Sequence, residues 1–239
     1  MKTTITNRAA NFTSSSIHKL MSNDRKGTGI GSPGLTYIAE KRMEAKLGRQ
    51  LQKETSSCST SWGTFVQHRV TNLLLPTSCQ PTKDVRRVHP LITNWTGAED
   101  YLRHNEDGSR SVGEIKCFEL KRFCEVHDAA SIGAASLREE APEIYWQLVS
   151  NAILNECDTA ELCLYVPYQS ELSVIKEDAS MPDVEHQFQW MQYAKDDELP
   201  YLVEGMYDKN ISIFRFNISE EDVRLLTNRV IMAVKMLGE

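Results

Sequence analysis

Between residues 91 and 168 the spacing of apolar side chains changes from strand-like to helical and back, which leaves few folds open. Residues 91–95 form a short extended candidate. Asn105-Glu-Asp-Gly-Ser109 is a strong turn signal, and residues 112–118 form the strand after it. Residues 140–154 carry Ile144, Leu148, Val149 and Ile153 at helical spacing, and residues 161–168 read as a buried strand. An alternating strand follows at residues 211–216. Ser219 and Asp222 then make a capping-box-like start for a helix with Val223, Leu226, Val230, Val234 and Leu237 on one face. This order specifies a layered α/β or α+β domain, a mixed central sheet flanked by helices.

The N-terminal third reads as helices and loops. Residues 12–21 suit a short helix capped by Thr13 or Ser14, with Ile17, Leu20 and Met21 inward. A glycine-rich loop spans residues 24–34. Its GxGxG run resembles a phosphate cradle but lacks the preceding strand of a dinucleotide fingerprint. Residues 35–52 read as a charged helix with Ile38, Met43 and Leu47 on its inner face. Residues 62–75 read as a helix with Phe65, Val66, Val70, Leu73 and Leu74 inward, and residues 76–90 as irregular.

At 239 residues, 41% hydrophobic and 25% charged, the chain suits one folded domain over 1–239 and not a disordered polymer. We divide it into a basic segment, 1–60, a core, 61–168, and a closing strand and helix, 169–239. No run reaches the roughly 18–20 apolar residues of a membrane span, and the N-terminus has no apolar signal region. A cytoplasmic protein with no membrane partner is expected. The cysteines at 58, 79, 117, 124, 157 and 163 form no CxxC pair, so free thiols are expected in place of a zinc or iron–sulfur centre. The net charge is −6, yet residues 1–50 hold nine Lys and Arg against three Asp and Glu. That bias suits an anionic ligand met by the N-terminal segment.

The chemistry concentrates between residues 97 and 117. Glu114 and Lys116 stand two apart on a strand and so share a face. If the flanking extended segments pair, Asp100 reaches that face. Two carboxylates suit a hydrated Mg²⁺, which polarises a phosphodiester and acidifies a bound water. The lysine orients or deprotonates that water, or neutralises charge developing on the phosphate.

The chain resembles the lambda-exonuclease-type viral recombination nucleases of the PD-(D/E)XK, restriction-endonuclease-like superfamily. The features that carry the resemblance are Arg8, then Phe-Thr-Ser-Ser ending at Ser15, and Trp62-Gly63 opening a helix. Next come Ala-Glu-Asp-Tyr-Leu with Asp100, then Glu114-Ile-Lys116-Cys117. Last come Tyr-Trp-Gln-Leu with Gln147 and the strand ending Leu-Tyr-Val-Pro. The resemblance implies a restriction-endonuclease-like core with Asp100, Glu114 and the Ile115 carbonyl as Mg²⁺ ligands, Mn²⁺ substituting. It makes Lys116 the catalytic lysine, with Gln147 beside it, and gives Arg8, Thr13 and Ser15 the 5′-phosphate. Where the family pattern has a glutamate this chain has Gln67, with His68 as an accessory candidate. The proline before the aspartate is replaced by Glu99, which alternation points away from Asp100.

The implied activity is metal-dependent exonuclease digestion of linear duplex DNA, 5′ to 3′, for phage-type recombination by single-strand annealing. Its implied partners are double-stranded DNA ends, a single-strand annealing protein and further copies of the chain in a trimer. A phage-encoded protein would work in the cytoplasm of a bacterial host. The alternatives are a structure-specific or restriction-type endonuclease, and an inactive DNA-binding nuclease fold.

Overall fold

The computed structural model describes residues 9–51, 57–82, 85–206 and 209–238. Phe12–Thr13 (β1) runs into a 3₁₀ turn, Ser14–Met21, and Ser32–Leu47 forms α1. Cys58–Arg69 (α2) continues into a π-type turn, Val70–Leu74. Short strands follow: Cys79–Pro81 (β2), Arg87–Val88 (β3), Trp95–Gly97 (β4) and Tyr101–His104 (β5). The longer Arg110–Lys116 (β6) leads through Leu120–Ile132 (α3), Ala134–Glu140 (α4) and Pro142–Asn155 (α5) to Thr159–Tyr165 (β7). Leu172–Ala179 (α6), Ile211–Asn217 (β8) and Glu220–Leu237 (α7) complete the order.

The main sheet runs β2-β5-β6-β7-β8, and a smaller one runs β1-β4-β3. β6 and β7 are parallel, while β5–β6 and β7–β8 are antiparallel. Parallel neighbours need a crossover, and α3 to α5 supply it. Leu102, Val112, Leu162, Leu164 and Phe216 join a core with Ile144, Leu148 and Val149 of α5, Ile17 and Leu20 of the 3₁₀ turn, and Leu226 and Val230 of α7. Tyr101, Ile115, Cys163 and Tyr165 pack on Trp62 and Val66 of α2, on Val70 of the π-type turn and on Leu172 and Ile175 of α6. Strand alternation assigns these two sets to opposite faces, and Glu114 and Lys116 fall on the α5 face. Pro142 stands in the first turn of α5, where its fixed φ fits and its missing N–H costs nothing.

Several local expectations differ from the structure. Residues 91–94 are not a strand: Leu91 is 88% exposed and only Trp95 enters β4. His89 is the reason, because its Nδ1 accepts from the Leu91 and Ile92 N–H groups at 3.2 and 3.1 Å. Helix α1 begins at Ser32 and ends before Gly48, whose φ of 64° is left-handed. Met43 and Leu47 are exposed, and the inner face holds Tyr37, Ile38, Lys41 and Glu44 instead. The buried Lys41–Glu44 pair, 2.8 Å apart, explains this, since Glu44 also accepts the Ala10 N–H at 3.1 Å. The glycine-rich loop is no phosphate cradle: the Thr28 and Gly29 N–H groups both donate inward to Asp24 Oδ1 at 3.0 Å. The side chains of Leu73 and Leu74 lie outside the described set. The stretch 76–90 holds β2 and β3, and the sequence reading did not single out α3 and α4. All six cysteines are free. Among the described residues, no helix is long and apolar enough to cross a membrane.

Gly113 lies opposite Tyr101 in the β5–β6 register, and a Cβ there would come within 2.0 Å of the Tyr101 ring. The ring cannot swing freely, because its hydroxyl donates to the buried Glu161 at 3.0 Å. Gly113→Ala should therefore lower stability by about 1–3 kcal/mol, the usual cost of overpacking. An unchanged urea unfolding midpoint would contradict this packing.

Candidate active site

An extended link from β4 to β5 carries Asp100 to the edge of β6. The Asp100 N–H donates to the Gly113 carbonyl at 2.9 Å, and Asp100 Oδ2 accepts the Ile115 N–H at 2.7 Å. That N–H is available because the β5 pairing ends at Gly113, two residues earlier. The Ile115 carbonyl lies on the same open edge, since both polar groups of a strand residue point to one side.

Glu114 is 5% exposed beneath α5. Its Oε1 accepts from Lys116 Nζ at 2.9 Å and from Gln147 Nε2, and its Oε2 accepts from Asn151 Nδ2 at 3.1 Å. Gln147 Oε1 in turn accepts from Lys116 Nζ at 3.1 Å. Gln147 and Asn151 are one helical turn apart, so α5 presents both amides to the same carboxylate. The structure thus brings together Asp100, Glu114, Lys116 and Gln147, and adds Asn151. The sequence reading missed Asn151. Its signal is a second amide side chain four residues after Gln147, on the same helix face.

Burial dominates the electrostatics. It pushes the Glu114 carboxyl up to about 7, with Asp100 adding to the rise and Lys116 opposing it. Burial also raises Asp100, against the Ile115 N–H, the Lys116 charge and a hydrogen bond from Gln67. Burial works to lower Lys116, but the Glu114 and Asp100 charges outweigh it and the lysine stays an ammonium. With all three ionised, the buried cluster carries a surplus negative charge on hard oxygens. That donor set fits a divalent cation such as Mg²⁺ or Mn²⁺. Among the described residues no three His, Cys, Asp or Glu side chains form a metal cage. A cation would therefore be held by Asp100, Glu114, the Ile115 carbonyl and water.

The other candidates divide. Gln67 projects from α2 to Asp100 and favours its charged form without adding a negative charge. His68 is half-buried beside it, and the leading influences on Asp100 and Glu114 come from other groups. Glu99 points away, as alternation requires, and accepts from Arg87 Nε at 3.4 Å and Asn155 Nδ2 at 2.9 Å. The Thr13 and Ser15 hydroxyls lie 3.3 Å apart at the start of the 3₁₀ turn. That turn is tied to α5 by Ser14 and Ser150, whose hydroxyls are 2.8 Å apart. Arg8 lies outside the described residues.

No family model and no curated protein matches the chain. Solved structures do. The chain is similar to an alkaline exonuclease from Laribacter hongkongensis, LHK-Exo, with a TM-score of 0.61 and 15% identity over 97% of this chain and 89% of that one. LHK-Exo in complex with dAMP gives a TM-score of 0.62 and 16% identity over the same shares. A phage-related exonuclease from Haemophilus somnus 129PT gives 0.60 and 17%, over 95% of this chain and 93% of that one. The chain therefore has the mixed α/β, restriction-endonuclease-like fold of these exonucleases.

If Glu114 is a cation ligand, proton and cation compete for it. Below about pH 7 a proton must leave before a cation enters, so affinity should weaken as pH falls and level off above 7. The slope should approach tenfold per pH unit. Calorimetric titration with Mn²⁺ at pH 6, 7 and 8 measures this, and a flat profile would remove Glu114 from the ligand set.

Proposed function

We propose that this chain is a divalent-metal-dependent deoxyribonuclease that degrades linear duplex DNA from its ends. The observation that carries this reading is the joining of Asp100, Glu114, Lys116 and Gln147 at one sheet edge. Support comes from the fold shared with exonucleases over nearly the whole chain, one of them in complex with a deoxynucleoside monophosphate.

A bound cation would polarise the scissile phosphate and lower the pKa of a water. The chain's own residues do the rest. Asp100 is fixed by the Ile115 N–H and by Gln67, so its carboxylate is held in one orientation. Lys116 places a positive charge where the phosphate gathers negative charge, in a pocket where burial strengthens the effect. Gln147 binds Lys116 and Glu114 at once and holds the ammonium beside the carboxylate. Asn151 occupies the second Glu114 oxygen and fixes the plane of the carboxylate. Gln67 supplies an amide where a further carboxylate would help hold a second cation, which favours a one-cation site.

Thr13, Ser15 and Arg8 would bind a 5′-phosphate, giving digestion from the 5′ end. The hydroxyls stand where the turn's first N–H groups have no side-chain cap, and Lys19 lies one turn on. A strand exposed in this way would serve recombination by single-strand annealing, with an annealing protein as partner. Several copies of the chain, a trimer on the family resemblance, would encircle the duplex in the cytoplasm of a host cell.

Glu114→Gln and Lys116→Ala should each slow digestion of linear duplex by about 10²–10³-fold or more, with circular duplex resistant throughout. Lys116→Ala should still bind duplex ends, since its effect lies in the transition state. Equal digestion of circular duplex would favour an endonuclease.

Arg8→Ala should erase the preference for 5′-phosphorylated over 5′-hydroxyl ends, a loss of roughly 10- to 150-fold at low salt. Initial rates on both substrates measure it, and a wild type without any preference would rule out the phosphate site.

A further inference from the structure

Residues 98–100 alone separate β4 from β5, and this link decides where Asp100 stands. Each residue of it is held. The Ala98 carbonyl accepts from Asn151 Nδ2 at 3.4 Å. The Glu99 carbonyl accepts from Thr82 Oγ1 at 2.7 Å, and the Asp100 carbonyl accepts from the Thr82 N–H at 3.0 Å. The Glu99 side chain is wholly buried and reaches two elements at once. Its Oε2 accepts from Asn155 Nδ2 on α5 at 2.9 Å, and its Oε1 accepts from Arg87 Nε on β3 at 3.4 Å.

A buried carboxylate is tolerated only where the protein supplies donors in place of water. Glu99 points away from Asp100, so its burial adds no oxygen to the site. What the burial does is tie the backbone one residue before Asp100 to α5 and β3. The tie continues into the site. Asn155 Nδ2 also donates to the Asn151 carbonyl at 2.9 Å, and Asn151 Nδ2 donates to Glu114 Oε2 at 3.1 Å. One turn of α5 therefore grips the Asp100 link on one side and Glu114 on the other. Among the described residues the Glu99 N–H has no hydrogen-bond partner, so the amide of this residue pins nothing. A proline here would restrain the backbone through its ring. In this chain the restraint comes from the side chain.

We propose that Glu99 is a positioning residue, a buried strut between α5 and β3 that sets where Asp100 stands relative to Ile115 and Glu114 and thereby governs cation affinity. The proposal rests on the reading of Asp100 and Glu114 as cation ligands and adds a residue on which that site depends. Glu99 acts only through the Asp100 link.

The test uses the whole chain with Glu99→Ala and Glu99→Gln, the second of which keeps an acceptor for Asn155. Its first arm needs neither metal nor DNA. Amide hydrogen exchange is followed at the Asp100 N–H, which donates to Gly113, and at the Ile115 N–H, which donates to Asp100 Oδ2. Glu99→Ala should speed exchange at these two amides about tenfold relative to the amides of β7, and Glu99→Gln should stay close to wild type. In the second arm Mn²⁺ is titrated calorimetrically at pH 8. Affinity should fall about 10- to 100-fold in Glu99→Ala and recover in Glu99→Gln. Arg87→Met removes the half-exposed anchor of the strut, so it keeps the test open if Glu99→Ala does not fold. It should move the same two amides and the Mn²⁺ affinity in the same direction. Faster exchange spread evenly over the sheet would make Glu99 a general stabilising residue and overturn the proposal. So would Mn²⁺ affinity unchanged in Glu99→Ala and Arg87→Met, or lost equally in Glu99→Gln. If wild type digests no DNA, the nuclease reading falls, while the exchange pattern and the Mn²⁺ titration still decide the strut.

Discussion

A carboxylate buried between a sheet and a helix dictates much of this structure. Glu114 has little water around it, so its charge must be met by the protein. Lys116 meets it from the same strand, and Gln147 and Asn151 meet it from α5. Removing Asn151 would take the donor from Oε2, and removing Lys116 or Gln147 would leave Oε1 with one donor, in a medium of low dielectric. The position of α5 over β6 is therefore constrained by polar geometry as well as by apolar packing. Burial still raises the Glu114 carboxyl to about 7, so these donors do not fully offset its loss of water.

The polar row on α5 extends this control along the sheet. Ser150 lies 2.8 Å from the Ser14 hydroxyl and accepts from the Trp95 indole at 2.9 Å, joining the N-terminal turn and β4 to the helix. Asn155 holds Glu99, which also meets Arg87 of β3. One helix thus fixes the link bearing Asp100, the strand bearing Glu114 and Lys116, and the turn bearing Thr13 and Ser15. Such a helix must be both apolar and polar at close quarters. That explains why α5 is almost wholly buried yet carries Gln147, Ser150, Asn151 and Asn155.

The second buried charge network is of a different kind. Glu161 on β7 accepts from Tyr101, from Arg103 at 2.7 Å and from Arg215 at 2.6 Å, on the face opposite α5. Here two guanidinium groups and a phenol satisfy one carboxylate, with positive charge in excess. The Glu114 cluster, with two carboxylates to one ammonium, has the reverse balance. The contrast separates a site suited to a cation from an ion pair that ties three strands together.

The sequence by itself determined the pairing of Glu114 with Lys116, because strand alternation places residues two apart on one face whatever surrounds them. It also determined a helix at 140–154 and strands at 112–118, 161–168 and 211–216, which the structure places at 142–155, 110–116, 159–165 and 211–217, and the outward turn of Glu99. Local periodicity carries that information. The tertiary structure alone decided that residues 91–94 are a turn, since the His89 ring captures their N–H groups. It decided that Lys41 and Glu44 displace Met43 and Leu47 from the inner face of α1. It also added Asn151 to the site and tied Glu99 to Asn155 across 56 positions of the chain. These outcomes depend on which distant groups compete for each buried hydrogen bond, and residue spacing carries no record of that competition.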